Sequence, residues 1–209
     1  MTEFWESSFK EKKEMWGWEP SDSAIATLEF FKEKEISKIL IPGFGYGRNG
    51  KIFLDNGFEV TGIEISETAI DIAKNQIKNK FKIYSGSVNS MPFDEELYDG
   101  IFSYALLHLL NREERIKFLH NCFNQLKPNG HMIFVSLSKT DFRYGQGEQL
   151  SKDSFKTNHG VTLFFYDLDS IQLEFAKLGL QKAEEIEEPK INFDNKPIQK
   201  FWYIICKKD

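Results

Sequence analysis

The sequence predicts an α/β protein, a single domain over residues 1–209 built on a doubly wound, mostly parallel sheet of about seven strands with helices on both faces. Three observations lead there. Strand and helix patterns alternate along the chain without a linker or an internal repeat. A glycine-rich turn, ILIPGFGYGRNG at 39–50, joins the first strand to a helix. An acid, Glu64, closes the second strand about 20 residues later, where sheets of this kind bring a carboxylate to the ligand edge.

Each element follows from its local pattern. A helix is expected over 21–34, with Ala24, Leu28 and Phe31 on one face. Residues 38–42 (KILIP) form the first strand and 58–65 (FEVTGIEI) the second. Ser66 then N-caps a helix carrying Ala69, Ala73 and Ile77 on one side. Residues 81–85 are the third strand and 98–104 (YDGIFSY) the fourth. Asn111, with Glu114 three residues on, opens a helix with Ile116, Leu119, Phe123 and Leu126 at core spacing. KPNG at 127–130 stops it, and 131–137 (HMIFVSL) is the fifth strand. Asp169 and Gln172 open the last helix, with Ile171, Phe175 and Leu178 inward and Gly179 as its stop. Residues 201–207 (FWYIICK) close the sheet. Two segments lie outside this pattern: an N-terminal cap segment and helix at 1–35, rich in aromatics, and 138–165, a polar, aperiodic stretch expected to form a substrate-side loop or lid.

Composition excludes several classes. A formal net charge of -5 with 28% charged residues shows no basic excess of the kind that neutralises a phosphate backbone, so no nucleic-acid partner is expected. No segment approaches the run of about 18 apolar residues that spans a membrane. The opening MTEFWESSFKEKKEMW lacks the apolar core of a signal peptide, so a cytoplasmic protein without membrane contact is expected. Cys122 and Cys206 have no CxxC spacing, and His108, His120, His131 and His159 have no ligand spacing, so neither a disulfide nor a metal site is expected. Nothing in the sequence signals an oligomeric state.

The glycine turn contains two patterns. Read from Gly43 it is GxGxG; read from Gly45, as GYGRNG, it is the GxGxxG of a dinucleotide site. In both readings backbone amides face a ligand at the carboxyl edge of the sheet, and the absence of side chains lets the chain approach it. Glu64 supplies an acceptor for both hydroxyls of a ribose. These features fit an adenosine dinucleotide and any other adenosine cofactor equally.

Three further pieces, SGSVNSMPF at 85–93, YDGIFSYALLHLL at 98–110 and LKPNG at 126–130, follow PGFGYGRNG and GIEIS in order and spacing. On these residues the chain, from about Phe4 onward, resembles the class I S-adenosylmethionine-dependent methyltransferases. It is most like their small-molecule members, which act on thiols, thiopurines, halides and tellurite. The resemblance implies a Rossmann-like fold and an enzyme that uses S-adenosyl-L-methionine. It implies Gly43, Gly45, Tyr46 and Gly47 along the methionine portion, Glu64 on the ribose, Ile65 beside the adenine, Ser87 and Val88 at the adenine edge and face, and Tyr104 lining the methyl-transfer pocket. Ser87 departs from the family pattern, which usually has an aspartate there.

The acceptor side is read from what surrounds these motifs. FSYA at 102–105 lacks the Asn/Asp-Pro-Pro-aromatic motif of enzymes that methylate amino groups of bases or glutamine. Trp16 and Trp18, in WGWEP, look like part of an aromatic N-terminal cap, with Trp16 expected beside the sulfonium. His108, four residues after Tyr104, is the candidate base because imidazole titrates near neutrality; a packed histidine among leucines is the alternative. Asp141 and Arg143 are candidates for meeting the acceptor from the 138–165 segment. An aromatic pocket with little fixed charge suggests a small-molecule acceptor, such as a thiol or chalcogen. An NAD-type oxidoreductase and a non-catalytic adenosyl-ligand binding module are the competing readings. The first needs a helical YxxxK, and the match at Tyr203 to Lys207 falls in the last strand.

Overall fold

Strands that are apolar on both sides need helices above and below them, and the chain supplies both layers. The computed structural model describes residues 2–190 and 197–209. β1 (Lys38–Pro42), β2 (Glu59–Glu64), β3 (Lys82–Ser85), β4 (Tyr98–Tyr104) and β5 (Leu126–Leu137) run parallel. β10 (Gln199–Lys207) returns antiparallel between β5 and β9 (Leu180–Glu188), which gives the order β3-β2-β1-β4-β5-β10-β9. The two-residue period of the strands divides the core. Ile39 and Ile41, with Ile133 and Val135, pack on α2 (Asp22–Glu33), α3 (Arg48–Asp55) and α4 (Glu67–Gln76). Leu40, Met132 and Phe134 pack on α5 (Arg112–Gln125) and α6 (Leu168–Phe175) from the other side.

Local capping sets the helix starts. The Ser66 Oγ accepts from the Ala69 N–H to begin α4, and Asn111 and Glu114 form a reciprocal capping box at 2.9 and 3.0 Å to begin α5. On α5 the inward positions are Phe118, Leu119 and Cys122; Ile116, expected inward, is exposed. Arg115 takes the adjoining buried slot and pairs with Glu174 of α6 at 2.8 Å, a charge that must be matched to be buried. The N-cap of α6 is Asp167, two residues before Asp169, and it forms a capping box with Ser170.

Two expectations need correction. The stretch at 138–165 is not an irregular loop: it contains an antiparallel three-stranded sheet, β6 (Glu148–Ser151), β7 (Ser154–Lys156) and β8 (Thr162–Phe164). Its Phe155, Leu163 and Phe165 join the same apolar cluster as Leu137 and Phe201, so burial fixes the segment on the main sheet. β9 was not expected as a strand at all. It is an edge strand rich in Glu and Lys, a composition that lowers strand propensity and discourages pairing with a further chain.

The second glycine pattern has a packing explanation. Phe44 turns its ring down between α3 and β2, stacked on Phe81 at 5.4 Å. A Cβ at Gly50 would lie 2.2 Å from that ring, and one at Gly47 or Gly62 would lie 2.9 or 2.8 Å from it. Ala in place of Gly within a helix normally adds about 1 kcal/mol of stability. At Gly50 of α3 we expect the reverse, with Gly50→Ala destabilising the fold by about 1–3 kcal/mol through overpacking against Phe44. Urea unfolding measures it, and an unchanged or raised midpoint would contradict this packing.

Candidate active site

The connections from β1 and β4 leave in opposite directions, toward β2 and toward β5, so a crevice opens at their carboxyl ends. The loop after β1 is tied to β2 by the Gly43 and Phe44 N–H groups, which donate to the Ile63 carbonyl at 2.9 and 3.0 Å. Gly45 has φ +58°, and a Cβ there would meet only the Phe9 Cζ, at 4.0 Å. It is therefore the glycine of the loop with an open side. Its N–H donates to Glu64 Oε2 at 2.7 Å, while the Ile65 and Ser66 N–H groups donate to Oε1, each at 2.9 Å. Burial pushes the Glu64 carboxyl pKa up, and these N–H groups oppose the shift.

The N-terminal segment covers this loop. α1 (Thr2–Lys12) lays Trp5 and Phe9 against Tyr46, which is 1% exposed although it sits in the loop. Trp16 stacks on Tyr46 at 6.2 Å and 11°, Trp18 meets it edge-on at 5.2 Å, and the Tyr46 hydroxyl donates to the Gly17 carbonyl at 2.7 Å. Trp16 thus belongs to an aromatic cluster above the loop, with 47% of its surface exposed. Glu6 of α1 reaches the start of α4, accepting from the Ser66 and Thr68 hydroxyls at 2.7 Å each and from the Thr68 N–H at 3.3 Å. Beside the second loop, Ser87 caps a short turn by accepting from the Asn89 N–H at 3.2 Å, and Val88 is buried in the core.

At the end of β4, Tyr104 packs on Phe201 at 5.9 Å and its hydroxyl donates to Glu188 Oε2 at 2.9 Å. The next residue, Ala105, has φ +54°, an uncommon conformation for a residue with a Cβ. His108 shares this wall, 6.4 Å from Phe201. Its Nδ1 accepts from the Leu137 N–H at 3.3 Å, and burial, aided by the Arg143 charge, lowers its pKa to about 3. The ring is neutral at physiological pH with one nitrogen engaged, which matches the packed alternative and leaves it a poor proton acceptor.

Asp141 and Arg143 are joined to each other. The buried Asp141 carboxylate takes Arg143 Nε at 2.7 Å and Nη2 at 3.1 Å, and also the Lys200 N–H at 2.8 Å. Burial raises the Asp141 pKa, but these contacts outweigh it and hold the carboxyl below its usual value. The pair clamps the turn after β5 onto β10. The structure therefore gathers Gly45, Glu64, Ile65 and Tyr46 at one part of the edge and Tyr104, His108 and Phe201 at another. Sequence reasoning missed Glu6, Phe9 and Glu188. Phe9 carried a signal, the i, i+4 spacing with Trp5; Glu188 carried none.

Residues 40–134, from β1 into β5, match the family model described as a methyltransferase domain. That stretch, just under half of the chain, is similar to a methyltransferase domain. The domain resembles thiocyanate methyltransferase 1 of Arabidopsis thaliana, 25% identical over 73% of this chain and 69% of that protein. It also resembles the tRNA N(3)-methylcytidine methyltransferase Mettl2 of Drosophila melanogaster, 21% identical over 64% of this chain. The chain spans only 44% of that relative's length. Among solved structures it superposes on the 1,6-didemethyltoxoflavin-N1-methyltransferase of Burkholderia thailandensis, determined with 1,6-didemethyltoxoflavin and S-adenosylhomocysteine bound. That match has a TM-score of 0.74 at 14% identity, covering 99% of this chain and 86% of the other, a likeness of fold. The Glu64 carboxylate beside the open Gly45 is the polar edge of the crevice in the matched stretch. Among the described residues no helix is long and apolar enough to cross a membrane.

The Glu6 contacts give a pH signature. The Ser66 and Thr68 hydroxyls hold the Glu6 pKa down to about 2, below its ordinary 4.5. A depressed carboxyl contributes stability that is complete above its unfolded pKa and lost as pH falls through the folded one. Tryptophan emission from the cap should therefore stay constant from about pH 7 to 5 and change between about pH 4.5 and 2. At neutral pH, Glu6→Gln should speed tryptic cleavage at Lys10 and Lys12. Unchanged cleavage would mean that Glu6 does not hold α1 in place.

Proposed function

We propose that this chain transfers the methyl group of S-adenosylmethionine to a small-molecule acceptor bound at the carboxyl end of β4. The observation that carries the reading is the Glu64 carboxylate, buried and aimed by backbone N–H groups of both edge loops, beside the single open glycine of the first loop. When bound, the sulfonium supplies an electrophilic methyl carbon whose bond electrons return to sulfur as an acceptor attacks in line. The chain's own contribution is placement: Glu64 holds the ribose, the loop backbone holds the methionine portion, and the aromatic cap excludes water.

A small acceptor is supported by the packing of Tyr104 on Phe201, by the net charge of -5, and by the resemblance to a thiocyanate and a 1,6-didemethyltoxoflavin methyltransferase. A soft nucleophile such as a thiol or chalcogen suits these apolar walls. The tRNA methyltransferase among the relatives makes RNA the competing acceptor.

Removing Glu64 should weaken binding without unfolding the chain. We expect Glu64→Ala to reduce S-adenosylmethionine affinity by about 1.5–3 kcal/mol, the range for charge-assisted hydrogen bonds, as read by calorimetry. Unchanged affinity in a folded variant would remove Glu64 from the site. For the acceptor, labelled methyl donor should mark one or more thiols, phenols or small amines and leave tRNA unlabelled; labelled tRNA with no labelled small molecule would overturn the small-acceptor reading.

A further inference from the structure

Glu188 ends β9, three strands across the sheet from Tyr104 of β4, yet the two side chains meet. The Glu188 side chain is 4% exposed. Its Oε1 accepts from the Ser23 N–H in the first turn of α2, and its Oε2 accepts the Tyr104 hydroxyl proton at 2.9 Å. The hydroxyls of Thr27 and Tyr203, 2.8 Å apart, lie on the same side. Capping α2 requires only Oε1. The second oxygen is free for Tyr104, and a phenol has a single proton to give. With that proton committed to Glu188, the Tyr104 oxygen presents only lone pairs to anything that binds beside it.

We propose that Glu188 fixes Tyr104 as a hydrogen-bond acceptor at the methyl-transfer pocket, so that the pocket selects acceptors that arrive carrying a proton, such as an amine, a hydroxyl or a neutral thiol, and rejects proton-free anions. The inference rests on the methyl-transfer reading above and narrows its acceptor: as the acceptor lone pair takes the methyl carbon and the carbon–sulfur bond electrons return to sulfur, the acceptor proton passes to the Tyr104 oxygen and the phenol proton to Glu188 Oε2. Burial, with the nearby Asp22 charge, pushes the Glu188 pKa up, and the hydrogen bonds it accepts from Ser23 and Tyr104 oppose that shift. Arg48 and Arg143 act on Tyr104 from further away; Arg48 donates to the Glu19 carbonyl and Arg143 is engaged by both oxygens of Asp141. Burial and its contact with Glu188 push the Tyr104 hydroxyl pKa up, which keeps the proton on the phenol.

Glu188→Gln keeps the shape and Oε1, but its carboxamide NH2 donates to the Tyr104 oxygen and frees the phenol proton to point elsewhere. Tyr104→Phe removes the acceptor altogether. The probes are 2-mercaptoethanol, catechol and ethanolamine on one side and thiocyanate and iodide on the other, assayed with labelled S-adenosylmethionine. We expect the wild type to favour a proton-bearing probe by about tenfold or more in kcat/KM, and both variants to shrink that preference by about tenfold while cofactor affinity stays within about twofold. A residue that only caps α2 would lower all probes together. Preference of the wild type for thiocyanate or iodide, or an equal fall for every probe in Glu188→Gln, overturns the inference and leaves the methyltransferase reading standing. Failure of S-adenosylmethionine to bind the wild type overturns that reading instead. Should no probe be turned over, the Tyr104 hydroxyl proton resonance in ring-labelled, S-adenosylhomocysteine-loaded protein decides: a downfield, slowly exchanging proton lost in Glu188→Gln upholds the pairing, and the same spectrum in both overturns it.

Discussion

Glu64 brings together, on one carboxylate, N–H groups from the two loops that must face a cofactor. A buried carboxylate without a cation is costly, and here three charge-assisted bonds from Gly45, Ile65 and Ser66 offset the cost. The same contacts relay outward. Ser66 caps α4, its hydroxyl takes Glu6, and Glu6 carries α1. Loop, strand end, helix start and N-terminal cover are therefore one hydrogen-bonded unit. A carboxylate offers about four acceptor positions. Three are used, so a ligand hydroxyl adds to a satisfied group rather than rescuing an unpaired one.

The hydrophobic effect completes what this unit begins. Tyr46 belongs to a loop and would ordinarily be solvated, but Phe9, Trp16 and Trp18 enclose its ring while its hydroxyl finds the Gly17 carbonyl. Aromatic pairs of this kind contribute about 0.5–1.5 kcal/mol each beyond their buried area. The cover and the loop consequently stabilise each other, and movement of α1 must disturb the glycine turn. On the far side, the small sheet seated on Leu137 and Phe201 and the clamp of Arg143 on Asp141 fix the walls around Tyr104.

Features set by local rules were legible in the sequence. The capping residues Ser66 and Asn111, the continuous apolar runs of β1 and β5, and Glu64 after the glycine turn all follow from patterns that a reader can count. What depends on distant partners was not. β9 is a strand because β10 pairs with it, despite a Glu-rich sequence. The 138–165 segment becomes a sheet because Phe155 and Phe165 find the main core. Glu188 lies 84 residues from Tyr104, and no periodicity connects a lone acid at the end of one strand to a tyrosine at the end of another. Trp16 was legible as an aromatic near the loop, but its partner, Tyr46, is a tertiary fact. The packing role of Gly47 and Gly50 is likewise a tertiary fact, since the ring of Phe44 occupies the space they leave.

The central claim is that the edge built by Gly45 and Glu64 serves a methyl donor rather than a nicotinamide carrier. Calorimetric titration of the wild-type chain with S-adenosylmethionine, S-adenosylhomocysteine and NADH tests it most directly. The account predicts saturable one-to-one binding of both sulfur compounds and no heat of binding for NADH. Binding of NADH with neither sulfur compound taken up would contradict it.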